Sequence, residues 1–319
     1  MKNKGFFIVW KKPHGRGKEM AKHLGVKLMF LDLKYSAIIR YPLFFFYTFF
    51  FLLLHKPSVI IVQTPPIFAV LSVYIYTLLY GGRYAVDSHT GELVEKKWKK
   101  FDRLRRFLFA RATVVFVHNS YNLNLVKGWK GRYLILTDDI PPTPEGKKVT
   151  TLCKHKKSAL FITGTVNTEP IYEVLSAARL LEKEGWIFFL SGHPSNYKGH
   201  TLPKNTILTG YLPYEEYLQL VKCVKVVITF DTREGVITRG TWESIGAGTP
   251  FVTNDSSTLK EMFGNIAVYT KINPEAIANA IKTAYSNRKT LQKRILQKRI
   301  ELNRQWEKNL EAAKNLLGL

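Results

Sequence analysis

Short apolar runs recur along the chain at the spacing of alternating strands and helices. In the first half they fall near Gly5–Trp10, Lys27–Leu31, Val59–Val62, Tyr84–Asp87, Val114–Val117 and Tyr133–Leu136. After a stretch bearing Pro and Gly, Asp138–Gly146, the pattern restarts near Ala159–Thr163, Ile187–Leu190, Thr206–Leu208, Lys225–Thr229, Phe251–Thr253 and Ala267–Tyr269. Such runs suit strands covered on both faces, so each half predicts an α/β fold with a doubly wound parallel sheet. At 319 residues the chain accommodates two such domains. The expected division is 1–145, then 146–285, then a helical tail over 286–319. That tail carries Leu291, Ile295, Ile300, Leu302, Trp306, Leu310 and Leu317 on a broken apolar stripe. Ligands of these sheets gather at the carboxyl ends of the strands, which predicts a site between two facing domains.

Two stretches exceed what this pattern needs. Leu43–Leu54 runs twelve residues without a charge, about 18 Å as a helix against the roughly 30 Å of a hydrocarbon core. A single crossing is therefore not expected. Being apolar on every side, the run suits either shallow insertion into one leaflet, through Phe44, Phe45, Phe46, Phe49 and Phe50, or full burial in a core. Farther on, Glu92–Arg111 reads as one basic amphipathic helix, with Trp98, Phe101, Leu104, Phe107 and Leu108 on one face. Seven cations crowd Lys96–Arg106, among them Lys99, Lys100 and Arg103. An anionic bilayer attracts such a helix by about 1 kcal/mol per cation near the headgroups.

Charge sharpens this picture. The formal net charge is +24, and residues 1–150 hold 25 Lys and Arg against 9 Asp and Glu. Strong positive charge fits nucleic acid, an anionic membrane or a polyanionic substrate. No helix-turn-helix, zinc-finger or RNP signature is present, and the cations accompany bulky apolar clusters. An anionic membrane surface is thus the expected partner, and nucleic acid is not. The two cysteines, Cys153 and Cys223, have no pairing or metal-type spacing, so neither a disulfide framework nor a zinc site is expected. The apolar core Phe6–Trp10 is too short for a signal peptide and predicts a first strand. The expected location is cytoplasmic, peripheral on the inner face of the cell membrane.

Candidate chemistry lies in four places. In Arg239–Asp255, Gly240 and Thr241 open a helix whose unpaired N–H groups and positive end suit a diphosphate. Glu243 stands in its first turn, where a carboxylate can accept two ribose hydroxyls. Gly164-Thr165 and Gly192-His193 each follow an apolar strand, and small residues there let backbone amides approach a diphosphate. Asp87, His89 and Glu92 end a strand of the first half and are candidates for a base, in the order Glu92, His89, Asp87. Finally, Gly15, Arg16 and Gly17 follow the first strand, where Arg16 is placed to meet a phosphate, while Gln63 follows the third and would shape an acceptor site. No carboxylate pair holds a convincing metal-binding place, since Asp138 and Asp139 fall in the linker.

Taken in order, HKPSVIIVQTPP (55–66), RYAVDSHTGE (83–92), LFITGTVNTEPIYEVLSAARLL (160–181), FFLSGHP (188–194), GYLPYEEY (210–217) and TREGVITRGTWESIGAGTPFVTND (232–255) resemble glycosyltransferases of the GT-B fold. The likeness is to the group that includes family-four enzymes and the dolichol-pathway mannosyltransferase acting on chitobiosyl-diphospholipid. It implies two Rossmann-like domains facing across a cleft, no bound metal and no cofactor, and a nucleotide-sugar donor of UDP or GDP type. By the same resemblance Tyr211 lies in the segment that cups the base. Thr238 to Thr241 reach the phosphates and sugar, Glu243 holds the ribose, and Arg233 or Arg239 stabilises the leaving diphosphate. The implied acceptor is a polyprenyl-linked lipid diphosphate. Two departures stand out: Gly164–Pro170 lacks the Arg and Lys of many family-four members, and Glu234 is one place early for their EX₇E pair. Both bring the chain nearer the dolichol-pathway enzyme and leave the stereochemistry open. A nucleotide-sugar epimerase of the same fold, or a non-catalytic donor-binding or scaffold subunit, are the alternatives.

Overall fold

The computed structural model describes residues 5–11, 15–142, 154–164 and 168–319. The chain forms two compact units: one runs to Asp139 and includes Arg304–Leu319, and the other is Ile140–Asn303.

The first unit contains β1 (Gly5–Val9), α1 (Gly15–His23), β2 (Lys27–Phe30), α2 (Ala37–His55), β3 (Val59–Thr64), α3 (Ile67–Tyr80) and β4 (Arg83–Ser88). These are followed by α4 (Thr90–Val94), α5 (Lys96–Lys99), α6 (Asp102–Phe109), β5 (Val114–Val117), α7 (Ser120–Leu125) and β6 (Tyr133–Ile135). The sheet runs β2-β1-β3-β4-β5-β6 and every pairing is parallel. Because successive side chains of a strand point to opposite faces, β1 sends Phe6 and Ile8 into one core with Phe44, Leu52 and Val73. Phe7 and Val9 enter a second core with Met20 and Ala21. That second core is closed by Leu310, Ala313 and Leu317, from the end of the last helix.

The second unit contains β7 (Ser158–Phe161), α8 (Ile171–Leu180), β8 (Ile187–Ser191), β9 (Thr206–Gly210), α9 (Tyr214–Cys223), β10 (Val226–Thr229) and α10 (Arg239–Ala247). It continues with β11 (Phe251–Asn254), α11 (Ser257–Phe263), β12 (Val268–Thr270), α12 (Pro274–Ser286) and most of α13 (Arg288–Leu317). Its parallel sheet runs β12-β11-β10-β7-β8-β9. All twelve sequence-predicted strands are present, with ends shifted by one or two residues. The helix read as a separate tail, α13, instead divides between the units at Arg304.

Strand order places the sites. Each sheet reverses its winding once, between β1 and β3 in the first unit and between β7 and β10 in the second. Ligands of such sheets bind outside the carboxyl ends at that reversal.

Four expectations are corrected here. The apolar run is part of a longer helix: α2 spans 19 residues and is, by length and composition, long and apolar enough to cross a membrane. Yet Phe44, Thr48 and Leu52 are buried, and Thr48 Oγ1 accepts from Trp10 Nε1 at 2.9 Å, so Phe44 serves the core. The basic amphipathic segment is three short helices: the backbone is extended at Glu95, with φ −72° and ψ 128°, and leaves helical geometry again at Phe101, with φ −100° and ψ 12°. Trp98 within α5 and Arg105 within α6 turn inward, and Arg105 donates to the Glu92 carbonyl and to Asp102. Trp98 is thus a core residue, while Lys99, Lys100 and Arg103 stay exposed. Lastly, Cys223 is disulfide-bonded, not a lone thiol.

Candidate functional site

At the carboxyl edge of the first sheet, Asp87 near the end of β4 is wholly buried. Arg16, 4% exposed in the first turn of α1, clamps it. Arg16 Nε donates to Asp87 Oδ1 and Oδ2 at 3.2 and 3.1 Å, and Nη2 donates to Oδ1 at 2.6 Å. The rest of the guanidinium donates to Asp138 Oδ1 and the Leu136 carbonyl, both at 2.9 Å. All three nitrogens are engaged inside the unit, which corrects the expectation that Arg16 meets a phosphate. Gly15 opens α1 exposed and Gly17 is buried in its first turn.

Burial alone would raise the Asp87 carboxyl. The Arg16 guanidinium outweighs it, helped by the His118 and His89 imidazoles, and holds Asp87 well below the usual carboxylate range. Burial also lowers His89, to about 4, and neighbouring His118 adds to this despite the opposing pull of Asp87. His89 is therefore a neutral imidazole at pH 7. Its Nε2 faces Asp87 Oδ2 at 3.3 Å, and its side chain keeps 25% of its surface exposed. Gln63, at the end of β3, contacts the same nitrogen. His118, which follows β5, packs edge-on against His89 with ring centroids 4.6 Å apart. Its Nε2 stands 3.8 Å from Asp87 Oδ1, beyond hydrogen-bond range.

The donor atoms of Asp87, His89 and His118 lie within 4.8 Å of one another, but these residues do not suit a metal. Arg16 already occupies both Asp87 oxygens, and a divalent ion would sit against its guanidinium.

Glu92, first in the order of candidate bases, is corrected. It is wholly buried in α4, and neither carboxylate oxygen has a hydrogen-bond partner. Burial pushes it up to about 8 even though Arg105 Nη1 stands 3.8 Å from Oε1. A carboxyl that is neutral at pH 7 and shut away from solvent cannot take a proton from an acceptor. His118 was missed from sequence. The available signal was its place as the first polar residue after the wholly apolar strand Val114–Val117, at the same carboxyl edge of the sheet where Gln63 and Asp87 lie on neighbouring strands.

The second unit presents a different cluster at its own reversal. Thr238 precedes α10 with extended dihedrals, φ −73° and ψ 150°, and its hydroxyl lies 3.1 Å from that of Thr241. Gly240 allows a close approach: a Cβ there would lie 2.8 Å from Ile162 Cδ1, so glycine lets the helix start close to the end of β7 without displacing that side chain. Glu243 lies one turn on, nearly buried, and accepts from Tyr217 at 2.6 Å and Tyr214 at 3.3 Å. Arg239 Nε stands 3.9 Å from the same carboxylate. Burial first, then the Glu243 charge, raises the Tyr217 hydroxyl well above its usual value, and Tyr214 is pushed up to about 12 for the same reasons. Both phenols therefore remain donors to Glu243 across the working pH range.

Around this carboxylate, Tyr211 is 77% exposed, with its ring centroid 6.1 Å from that of His193. His193 Nδ1 is engaged by Ser195. Gly192 has φ +87°, and a Cβ there would meet Thr163 Oγ1 at 2.5 Å. The Gly164 amide donates to Glu169 Oε1 at 2.8 Å, so it is already paired, while Thr165 lies outside the described residues. Arg233 forks onto Asp231, with Nε and Nη2 at 2.9 and 2.7 Å. Glu234, the residue near the EX₇E position, accepts from Ser256 and Thr258 at 2.8 and 2.9 Å and so braces the start of α11.

No family model matches the chain, and comparison with curated proteins finds no relative. Solved structures do share its architecture. HepE from Anabaena, solved with UDP and glucose, aligns over 99% of this chain and 100% of its own at 11% identity, with a TM-score of 0.74. Sucrose-phosphate synthase from Thermosynechococcus elongatus aligns over 98% of both chains at 12% identity, again with a TM-score of 0.74. A UDP-N-acetylglucosamine 2-epimerase from Listeria monocytogenes, itself named as putative, covers 92% of this chain and 91% of its own at 12% identity and a TM-score of 0.64. The two parallel sheets and these neighbours show the GT-B fold.

Proposed function

We propose that the chain is a metal-independent glycosyltransferase that moves a sugar from a nucleoside diphosphate sugar to a hydroxyl of a polyprenyl-linked acceptor. The observation that carries this reading is the division of chemistry between the units. Glu243 is held by two tyrosines at the start of a helix, suited to ribose hydroxyls and a diphosphate. His89, backed by Asp87, is partly open to solvent, suited to taking a proton. The acceptor O–H attacks the anomeric carbon, its proton goes to His89, and the bond to the diphosphate breaks with the electron pair leaving on the nucleotide. Arg239, at the first position of α10, is placed to stabilise that leaving charge. A single base, with Glu234 bracing α11, favours inversion at the anomeric carbon. The UDP bound by HepE favours a UDP-sugar over a GDP-sugar.

Membrane association is part of the proposal. Ile38, Ile39, Leu43, Phe46, Tyr47, Phe50 and Leu54 are exposed along α2, and Leu78, Leu79 and Tyr80 at the end of α3. Helices α2 and α3 pack together, and α3 packs on α6, which carries exposed Arg103 and Arg106. An apolar stripe beside exposed cations suits the anionic inner face of a cell membrane. Location in the cytoplasm, on that face, belongs to the same proposal.

The test is transfer of label from radiolabelled UDP-, GDP- and ADP-sugars into an organic-extractable lipid fraction. The purified protein is supplied with short-chain polyprenyl-diphosphate acceptors bearing a sugar. Label in the lipid is expected, and Glu243→Ala is expected to weaken donor binding about 10- to 100-fold, the worth of hydrogen bonds to a charged group. The same fold also supports an epimerase. Conversion of the nucleotide sugar with no acceptor present would establish that second reading in place of the first.

A further inference from the structure

We propose that Arg16 is a positioning residue of the acceptor site: by gripping both oxygens of Asp87 it fixes the His89 proton on Nε2 and leaves Nδ1 as the atom that receives the acceptor's proton. The inference rests on the transferase reading above and assigns the tautomer and the ring nitrogen that this reading leaves open.

The geometry begins with the carboxylate. An Asp between two imidazoles could rotate or share its charge in several ways, but Arg16 contacts it from one side through Nε and Nη2 at 2.6–3.2 Å. A planar guanidinium matched to a planar carboxylate fixes its orientation as well as its ionisation. Asp138 holds the other end of Arg16 at 2.9 Å, so the guanidinium is itself anchored. The oxygen Asp87 presents to His89 is Oδ2, 3.3 Å from Nε2. An ionised carboxylate only accepts, so Nε2 carries the hydrogen. Gln63 approaches the same nitrogen through its amide Nε2; two N–H groups cannot face each other, so the amide is turned end for end, which places its oxygen to accept from this N–H. Nδ1 keeps its lone pair, and His89, although it caps α4, makes no side-chain cap bond with it. His118 packed edge-on at 4.6 Å hinders rotation of the His89 ring.

During transfer the acceptor O–H bond breaks, its proton forms a bond to Nδ1, and the resulting imidazolium is stabilised by Asp87, which stays ionised. The proton then passes to solvent from Nδ1. Among the described residues, the charged and titratable groups facing His89 are Asp87 on β4 and His118 after β5, with Arg16 on α1 acting through Asp87 and Asp138 behind it. A phosphate oxygen, already ionised near pH 7, needs no base and would be repelled by these carboxylates. The device therefore fits a neutral hydroxyl nucleophile, such as that of a lipid-linked sugar, so a prior transfer must have loaded that sugar on the lipid.

The tautomer is read directly by nitrogen-15 NMR of histidine-labelled full-length protein, with His89→Gln identifying the resonance. The expected result is an N–H at Nε2 and an unprotonated Nδ1 at pH 7. An N–H at Nδ1 would overturn the proposal whether or not turnover has been found. Asp87→Asn keeps the shape but offers an N–H to Nε2. It is expected to invert the tautomer and lower kcat by roughly 10³- to 10⁴-fold, by analogy with the same exchange in hydrolytic triads, with donor affinity unchanged. Inversion with kcat intact would also overturn it. Arg16→Lys keeps one charge but not the fork: the expected readouts are a mixed tautomer and a lower kcat at unchanged donor KM. A wild-type tautomer with wild-type kcat in Arg16→Lys would remove Arg16 from the scheme. Failure of every donor and acceptor pair, with the Nε2–H tautomer present, would sink the transferase reading and leave the Arg16–Asp87–His89 arrangement standing.

Discussion

Helix α2 of the first unit and helix α12 of the second each cover a face of a six-stranded parallel sheet, yet they differ on the side turned away. Helix α12 buries Ile277, Ala278, Ala280, Ile281 and Ala284, and none of its large apolar residues is exposed. Helix α2 buries only Phe44, Thr48 and Leu52 and exposes seven large apolar side chains along its length. One stripe suffices to cover a sheet. The excess on α2 is not required by the fold and stands as a surface for something outside it.

Buried carboxylates differ in the same way. Glu243 of the second unit is met by two phenolic donors, whereas Glu92 of the first has no hydrogen-bond partner on either oxygen. The former has donors in place on its carboxylate, and the latter, pushed up to about 8 by burial, is stored as a neutral acid. Identical chemistry in two copies of one architecture is thus assigned by the neighbours each unit supplies.

The largest effect that sharpens this comparison is expected on α2. Replacing Phe46, Phe50 and Leu54 together by Ser removes side chains worth roughly 1–2 kcal/mol each on transfer from water. Sedimentation with anionic vesicles is expected to fall by more than about 100-fold in affinity, with the thermal midpoint little changed. The matched change on the second unit, Tyr172 and Leu180 to Ser on α8, is expected to leave vesicle binding as it was. Equal losses from both would erase the distinction between the two surfaces.

A smaller effect separates the two carboxylates by pH. The folded value of Glu92, about 8, lies above the unfolded value of about 4.3. Its contribution to stability is therefore complete below the unfolded value and is lost as pH rises toward 8. Glu92→Gln imitates the neutral acid at every pH. Between pH 5 and 8 the wild type is expected to lose on the order of 3–4 kcal/mol relative to Glu92→Gln, seen as diverging urea midpoints. Parallel midpoints over that range would show that Glu92 is ionised and paired.

The sheets were legible in the sequence because runs such as Phe6–Val9, Val59–Val62 and Val226–Thr229 are apolar on both faces, a demand that only central parallel strands make. The donor-side cluster was legible for a related reason: Gly240 and Glu243 are bound to local helix geometry. What escaped was decided by contacts distant in sequence. Arg16 looked like a phosphate ligand because its partners lie 71 and 122 residues away. Glu92 looked like a base because its polar type was visible and its burial was not. The amphipathic reading of 92–111 failed at Glu95, where periodicity continued but the backbone turned extended to bring Trp98 and Arg105 inside.

The smallest effect concerns the cations flanking the apolar surface. Lys99, Lys100 and Arg103 are exposed in and between α5 and α6, and each is worth about 1 kcal/mol at an anionic surface, or roughly fivefold in vesicle affinity. Exchanging any one for Gln is expected to weaken binding by that factor at low salt and by less near 0.5 M, where screening shortens the reach of the interaction. On neutral vesicles the exchange should do nothing. Lys154 and Lys156 of the second unit are equally exposed and change the net charge by the same amount. If their loss weakens binding as much, the protein responds to the membrane through total charge; if it does not, the cations count because of where α5 and α6 hold them.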